Sequence, residues 1–191
     1  MMADTLRTFI AIDVKVEKPL SDKWAELKSL LRNDSIKWVD DRLLHLTLFF
    51  LGDTSNVIVN GISSKLQVEL NKIPAFRLNL QGLGFFGNSR SPRVLWVGIS
   101  RSEQLMQLHK VVTDCVSVFG FDVANEKFSP HLTLGRVKHI VSTEKLISLI
   151  KQSKELQFQQ VEIDKVTFYQ SILRPEGPIY KPLSEFKLPS L

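Results

Sequence analysis

The sequence predicts an α+β protein made by duplicating one strand–helix–strand–helix–strand unit, and three observations lead there. The tetrapeptide His-Leu-Thr-Leu occurs at residues 45–48 and again at 131–134, an offset of 86. At the same offset, Arg7 opens the run Thr8-Phe9-Ile10-Ala11-Ile12 and Arg93 opens Val94-Leu95-Trp96-Val97-Gly98-Ile99. Segments of helical periodicity alternate with these runs in the same order in both halves.

The two arginine-led runs are short, β-branched or aromatic, and bounded by polar residues, which predicts buried strands. Leu20, Trp24, Leu27, Leu30 and Leu31 then recur at helical spacing, as do Leu105, Leu108, Val112, Cys115, Val116 and Phe119. The His-Leu-Thr-Leu strand follows in each half. A second helical stretch comes next, Val57 to Leu70 and Thr143 to Leu156. Each half closes with a strand, Phe76 to Phe85 and Val161 to Leu173, and Tyr180 to Leu188 is expected as an edge strand. Trp24, at helical spacing, and Trp96, inside an apolar run, are expected in the core. The turn-rich stretch Gly87-Asn88-Ser89-Arg90-Ser91-Pro92 separates the copies. The expected organisation is one bilobed domain, residues 1–191, of two intertwined repeats, about 5–87 and 91–174, joined by a linker at 87–92.

Composition narrows the class. Of the 191 residues, 43% are hydrophobic and 24% charged, enough apolar material for a core and too much for a disordered chain. Nine glycines and eight prolines are too few for a collagen-like or low-complexity sequence. The formal net charge of +5 favours anionic partners without specifying one. A single cysteine, Cys115, excludes an intramolecular disulfide and a cysteine-based zinc cluster. The N-terminal stretch offers only Phe9 to Ile12 as a continuous apolar run, so no signal peptide and no membrane span are expected. A cytoplasmic setting, without membrane partners, is the expectation.

In a strand, alternate side chains share a face, so His45 and Thr47 point one way while Leu46 and Leu48 point into the core. The same holds for His131 and Thr133 against Leu132 and Leu134. A single histidine in an apolar strand is usually structural. Two identical imidazole–hydroxyl pairs at equivalent places in a duplicated chain serve no packing need. Near neutral pH one imidazole can be neutral and its partner protonated, so one takes a proton from a water while the other gives one to a leaving oxygen. The two threonine hydroxyls can donate to the non-bridging oxygens of a phosphate between them. Neither motif carries a carboxylate or thiol ligand beside it, so no metal and no cofactor are expected.

These residues resemble the two-histidine phosphoesterase superfamily, marked by two HxTx motifs in a duplicated chain. Within it they are most similar to the RNA 2′,3′-cyclic phosphodiesterases, also described as 2′-5′ RNA ligase-like. The resemblance spans nearly the whole chain: Arg7 to Asp13, Leu44 to Gly52, Pro92 to Gly98, Pro130 to Arg136 and Thr167 to Ser171. It implies a bilobed fold in which two antiparallel sheets line a central, positively charged groove, with helices outside. It implies hydrolysis of RNA 2′,3′-cyclic phosphate ends to 2′-phosphates without metal or ATP, by a monomer. By the same resemblance His45 is the proton donor and His131 the acceptor, a direction that spacing alone does not assign. The absence of a GxxxxGK[ST] loop fits such chemistry.

Two more positions follow from the resemblance: Phe50 to stack on a base and Arg136 to meet the phosphate. Each lies five residues after its motif histidine, and strict alternation points both away from the groove. A bulge or strand end at Gly135 or before Gly52 would bring them back. Arg7 and Arg93 are expected in surface ion pairs or at solvated strand ends, and Phe85 and Phe86 in core or hairpin packing. Tyr169 and Ser171 share a strand face that can line the groove, while His109 and His139 have no partner at useful spacing. Three rivals share the same residues: an enzyme for small cyclic phosphates or 2′-5′ linked oligonucleotides, a non-catalytic module for RNA ends, and a metal-dependent hydrolase.

Overall fold

A computed structural model describes residues 5–125 and 127–190 of the chain. The first half runs β1 (Thr5–Asp13), α1 (Lys18–Leu30), β2 (Ser35–Trp38), a single 3-10 turn (Asp41–Leu43), β3 (His45–Ser55), α2 (Asn56–Leu70) and β4 (Phe76–Asn88). The second runs β5 (Ser91–Ile99), α3 (Glu103–Ser117), β6 (His131–His139), α4 (Thr143–Ser153), β7 (Gln157–Ile163), β8 (Lys165–Leu173) and β9 (Pro178–Lys187).

Local sequence sets the helix starts. Pro19, in the first turn of α1, needs no amide partner there. The Ser55 hydroxyl accepts the Ile58 N–H at 3.5 Å to open α2, and the Ser102 hydroxyl accepts the Leu105 N–H at 3.2 Å to open α3. Each helix buries one stripe: Leu20, Trp24 and Leu27 in α1, and Val59, Ile62, Leu66 and Leu70 in α2. Leu105, Leu108, Val112, Cys115 and Val116 do so in α3, and Leu146 and Leu149 in α4. These stripes meet Leu46, Leu48, Leu132 and Leu134 from the motif strands in one continuous core.

The strands are all antiparallel and follow the order β7-β4-β5-β6-β3-β1-β8-β9, with β2 beside β6. Two half-sheets are thus continuous through β3 and β6, which pair at one position, Leu46 opposite Leu132. The strand ending each half crosses to the sheet of the other: β4 lies against β5, and β8 lies against β1. Helices cover one face of this curled sheet, and the other face carries a separate small cluster of Phe9, Ala11, Tyr169 and Tyr180.

Several boundaries differ from the sequence reading. The run Val161 to Leu173 is two strands, because the chain leaves β4 and joins β1 at Asp164, a crossing that hydrophobic periodicity does not register. The second helix of that half ends at Ser153, where a turn hands the chain to the pairing of Gln157 with Gln81. The stretch 87–92 is the tight turn of the β4–β5 hairpin, with Asn88 paired to Ser91. Trp96 is half-buried on the face away from the helices, packed on Phe86 at 5.6 Å, whereas its neighbours Leu95 and Val97 take the core side. The strand β2 and the 3-10 turn were not expected. Among the described residues, no helix is long and apolar enough to cross a membrane.

Candidate active site

The Leu46–Leu132 pair places the two motifs side by side. An antiparallel register centred on that one pair turns Thr47 toward His131 and His45 toward Thr133. The leucines fill the helix side, so both imidazoles and both hydroxyls project from the opposite face, all half-buried.

A bulge follows each motif. In β3, Ala11 pairs with Thr47 but Ile10 pairs with Phe49, so Leu48 is the extra residue. In β6, Trp96 pairs with Thr133 but Leu95 pairs with Gly135, so Leu134 is the extra residue. Leu48 and Phe49 therefore both face the core, as do Leu134 and Gly135, and alternation resumes one residue late. Phe50, 47% exposed, and Arg136 emerge on the histidine face. The absent side chain of Gly135 is part of this device: a Cβ there would lie 2.9 Å from Ile36 and Trp38.

The imidazoles share one backbone arrangement. His45 Nδ1 is 2.8 Å from the Leu43 carbonyl oxygen, and His131 Nδ1 is 2.7 Å from that of Ser129. A carbonyl only accepts, so Nδ1 carries the proton in both and Nε2 is left to titrate. The 3-10 turn that aims the Leu43 carbonyl is capped by Asp40, which accepts the Arg42 N–H at 3.0 Å. Phe9 and Tyr180 flank the His45 ring, each with its centroid 5.1 Å away, and Phe86 stands edge-on to His131 at 4.7 Å.

Their electrostatic surroundings differ. Burial pushes both imidazoles below the ordinary value of 6.5, and Arg136 pushes each further down. For His45 the Leu43 carbonyl and then the Asp13 carboxylate act in the opposite direction, and His131 pushes it down. For His131 the Ser129 carbonyl alone opposes burial. Asp13 is the register partner of His45 at the end of β1. It accepts a hydrogen bond from the Tyr169 hydroxyl at 2.6 Å and one from Thr167 at 3.4 Å, with Lys165 Nζ at 3.9 Å. The Tyr169 phenol, pushed well up by burial and by this bond, stays a donor. In the second half the register partner of His131 is Gly98, which has no side chain to play this part.

The structure thus gathers His45, Thr47, His131, Thr133, Arg136 and Phe50 on one face. Arg7, expected in solvent at a strand end, lies over the Phe50 ring at 4.8 Å. Phe86, expected in core or hairpin packing, touches His131. Asp13 and Tyr180 were missed. The acidic residue that closes the first apolar run, where the second run ends in Gly98 and Ile99, was the available signal for the first; nothing local marks Tyr180, which reaches His45 only through the folding of β9.

Comparison with known proteins agrees with this fold. A family model described as the 2′-5′ RNA ligase superfamily matches residues 16–172. A Thermotoga maritima protein named RNA 2′,3′-cyclic phosphodiesterase is 37% identical over 183 residues, 94% of each chain. A solved Thermus thermophilus structure aligns with a TM-score of 0.78 at 24% identity, covering 97% of this chain and 99% of its own. Escherichia coli LigT, solved in complex with 3′-AMP, aligns at 0.72 and 24% identity with the same coverage. At that identity, the two structures show the fold.

Proposed function

This chain belongs to the 2′-5′ RNA ligase superfamily, and on that premise we propose that it hydrolyses RNA 2′,3′-cyclic phosphate ends to 2′-phosphates, using His45 as general acid and His131 as general base. The observation that carries the reading is the Leu46–Leu132 register, which opposes two imidazoles with free Nε2 atoms and two threonine hydroxyls across one gap. The names of the relatives, at identities up to 37%, support the substrate.

In this reading the phosphate sits between the motifs, its non-bridging oxygens accepting from Thr47, Thr133 and Arg136. His131 Nε2 takes a proton from water as its oxygen attacks phosphorus. The bond from phosphorus to the 3′-oxygen breaks, and protonated His45 Nε2 gives that oxygen its proton. The 2′-oxygen keeps the phosphate. Placing a base on Phe50, beneath the Arg7 guanidinium, holds the terminal nucleoside by stacking.

Asp13 supports the direction. A carboxylate beside His45 favours its charged form, the form an acid must start in, and β5 supplies no counterpart beside His131. The test is hydrolysis of a short RNA ending in a 2′,3′-cyclic phosphate, with EDTA and without ATP, reading which oxygen keeps the phosphate. A 2′-phosphate product is expected. Loss of turnover on chelation supports a metal-dependent hydrolase, and RNA binding without turnover supports a binding module. Faster turnover of mononucleoside cyclic phosphates or 2′-5′ linked oligonucleotides moves the substrate to those classes.

A further inference from the structure

A cleft of about 350 Å³ opens beside these residues, between the end of β2 with its 3-10 turn and the tip of the β8–β9 hairpin. It is continuous with the site, since Tyr180 both lines it and stands edge-on to His45 at 5.1 Å. On the facing wall is Lys37, the cross-strand partner of Arg136. Both side chains are exposed on one face of the sheet, and like charges directly opposed across strands cost stability. An anion shared between them offsets that cost. Arg174 at the hairpin tip adds a further cation to the cleft lining.

The acids in the lining do not cancel this. The Asp40 carboxylate is already taken by Arg42, whose Nε and Nη2 donate to it at 2.9 and 2.6 Å. Glu176 stands at the exposed hairpin tip, where it can accept from an exocyclic amino group. The remaining walls are apolar and aromatic, Trp38 and Ile179 among them, and Ile179 is 47% exposed although aliphatic. A line of cations leading from a phosphate site, beside apolar and aromatic walls, is how a protein follows a single-stranded backbone while packing its bases.

We infer that this cleft holds the nucleoside one step 5′ of the reacting end, with its base against Ile179 and Tyr180 and the linking phosphodiester along Lys37 and Arg174. The inference rests on the reading of the neighbouring site as one for RNA ends. It makes the protein selective for oligonucleotide ends over mononucleotides.

The experiment compares a mononucleoside 2′,3′-cyclic phosphate with a dinucleotide bearing the same cyclic end, in the wild type and in Arg174→Ala and Ile179→Ala. Both variants change exposed side chains and leave the backbone bonds of the hairpin in place. Binding of the two products, a nucleoside 2′-phosphate and its 5′-extended dinucleotide, is measured in parallel. The expected result is a wild-type kcat/KM about tenfold higher for the dinucleotide, lost in either variant, with mononucleotide turnover unchanged. Equal turnover of both substrates by the wild type overturns the inference, as does an equal loss on both in the variants. Should neither substrate turn over, the hydrolase reading fails by itself. The subsite then stands if the dinucleotide binds more tightly and that preference disappears in the variants, and falls if it does not.

Discussion

His45 and His131 make the same contact with the backbone and differ in what surrounds them. Replacing either with alanine is expected to lower kcat by about 10² to 10⁴, measured on a cyclic-ended RNA. Their unlike roles give a bell-shaped pH profile: activity falls at low pH as His131 becomes protonated and at high pH as His45 loses its proton. Because Asp13 favours the charged form of His45, Asp13→Asn lowers that ionisation. The alkaline limb of the profile should move to lower pH and the acid limb should stay where it is. Movement of the acid limb alone would put Asp13 to work on His131. At this scale the motif residues were readable from identity at an offset of 86, since two matching HxT pairs have no packing use. The Asp13–His45 partnership was not, because it crosses from β1 to β3 and depends on register.

The bulges are where element geometry decides chemistry. Period-two alternation sends Phe50 and Arg136 to the core side, and one extra residue in each motif strand returns them to the histidine face. Sequence marks this weakly: Gly135 hints at the device in β6, while Leu48 and Phe49 in β3 look like any apolar run. Asp164 is similar, one polar residue at which the chain changes sheets. Gly135 gives the test. Alanine there brings a Cβ to 2.9 Å from Ile36 and Trp38, so the strands must part or the bulge must shift. Gly135→Ala is expected to cost about 1–3 kcal/mol in urea unfolding. Its kcat/KM should fall further than stability explains, because Arg136 turns with the bulge. Arg136→Ala, which keeps the backbone, should lose activity with little change in unfolding midpoint.

Across the whole molecule, the helices and core stripes were legible because burial on one face imposes helical spacing on the sequence. The crossing of β4 and β8 between half-sheets was not, since both strands read alike wherever they pair. Folding also makes three of the molecule's histidines harder to protonate. His45, His131 and His109 are all pushed down by burial, so the unfolded chain binds more protons than the folded one around and below pH 6.5. The stability they contribute is complete above that value and is lost as pH falls. The urea midpoint should therefore drop between pH 7 and pH 5, and less so in a His45→Gln, His131→Gln double variant. A midpoint unchanged over that range would contradict the downward shift of the buried imidazoles.

If His45 is the acid and His131 the base, a sulfur substitution in the substrate separates them. A thiolate leaves without being protonated, so a substrate with sulfur in place of the bridging 3′-oxygen has no need of the acid but still needs the base. On that substrate His45→Ala is predicted to recover turnover close to the wild type, while His131→Ala stays inactive. Recovery by His131→Ala, or by neither variant, would contradict the assignment.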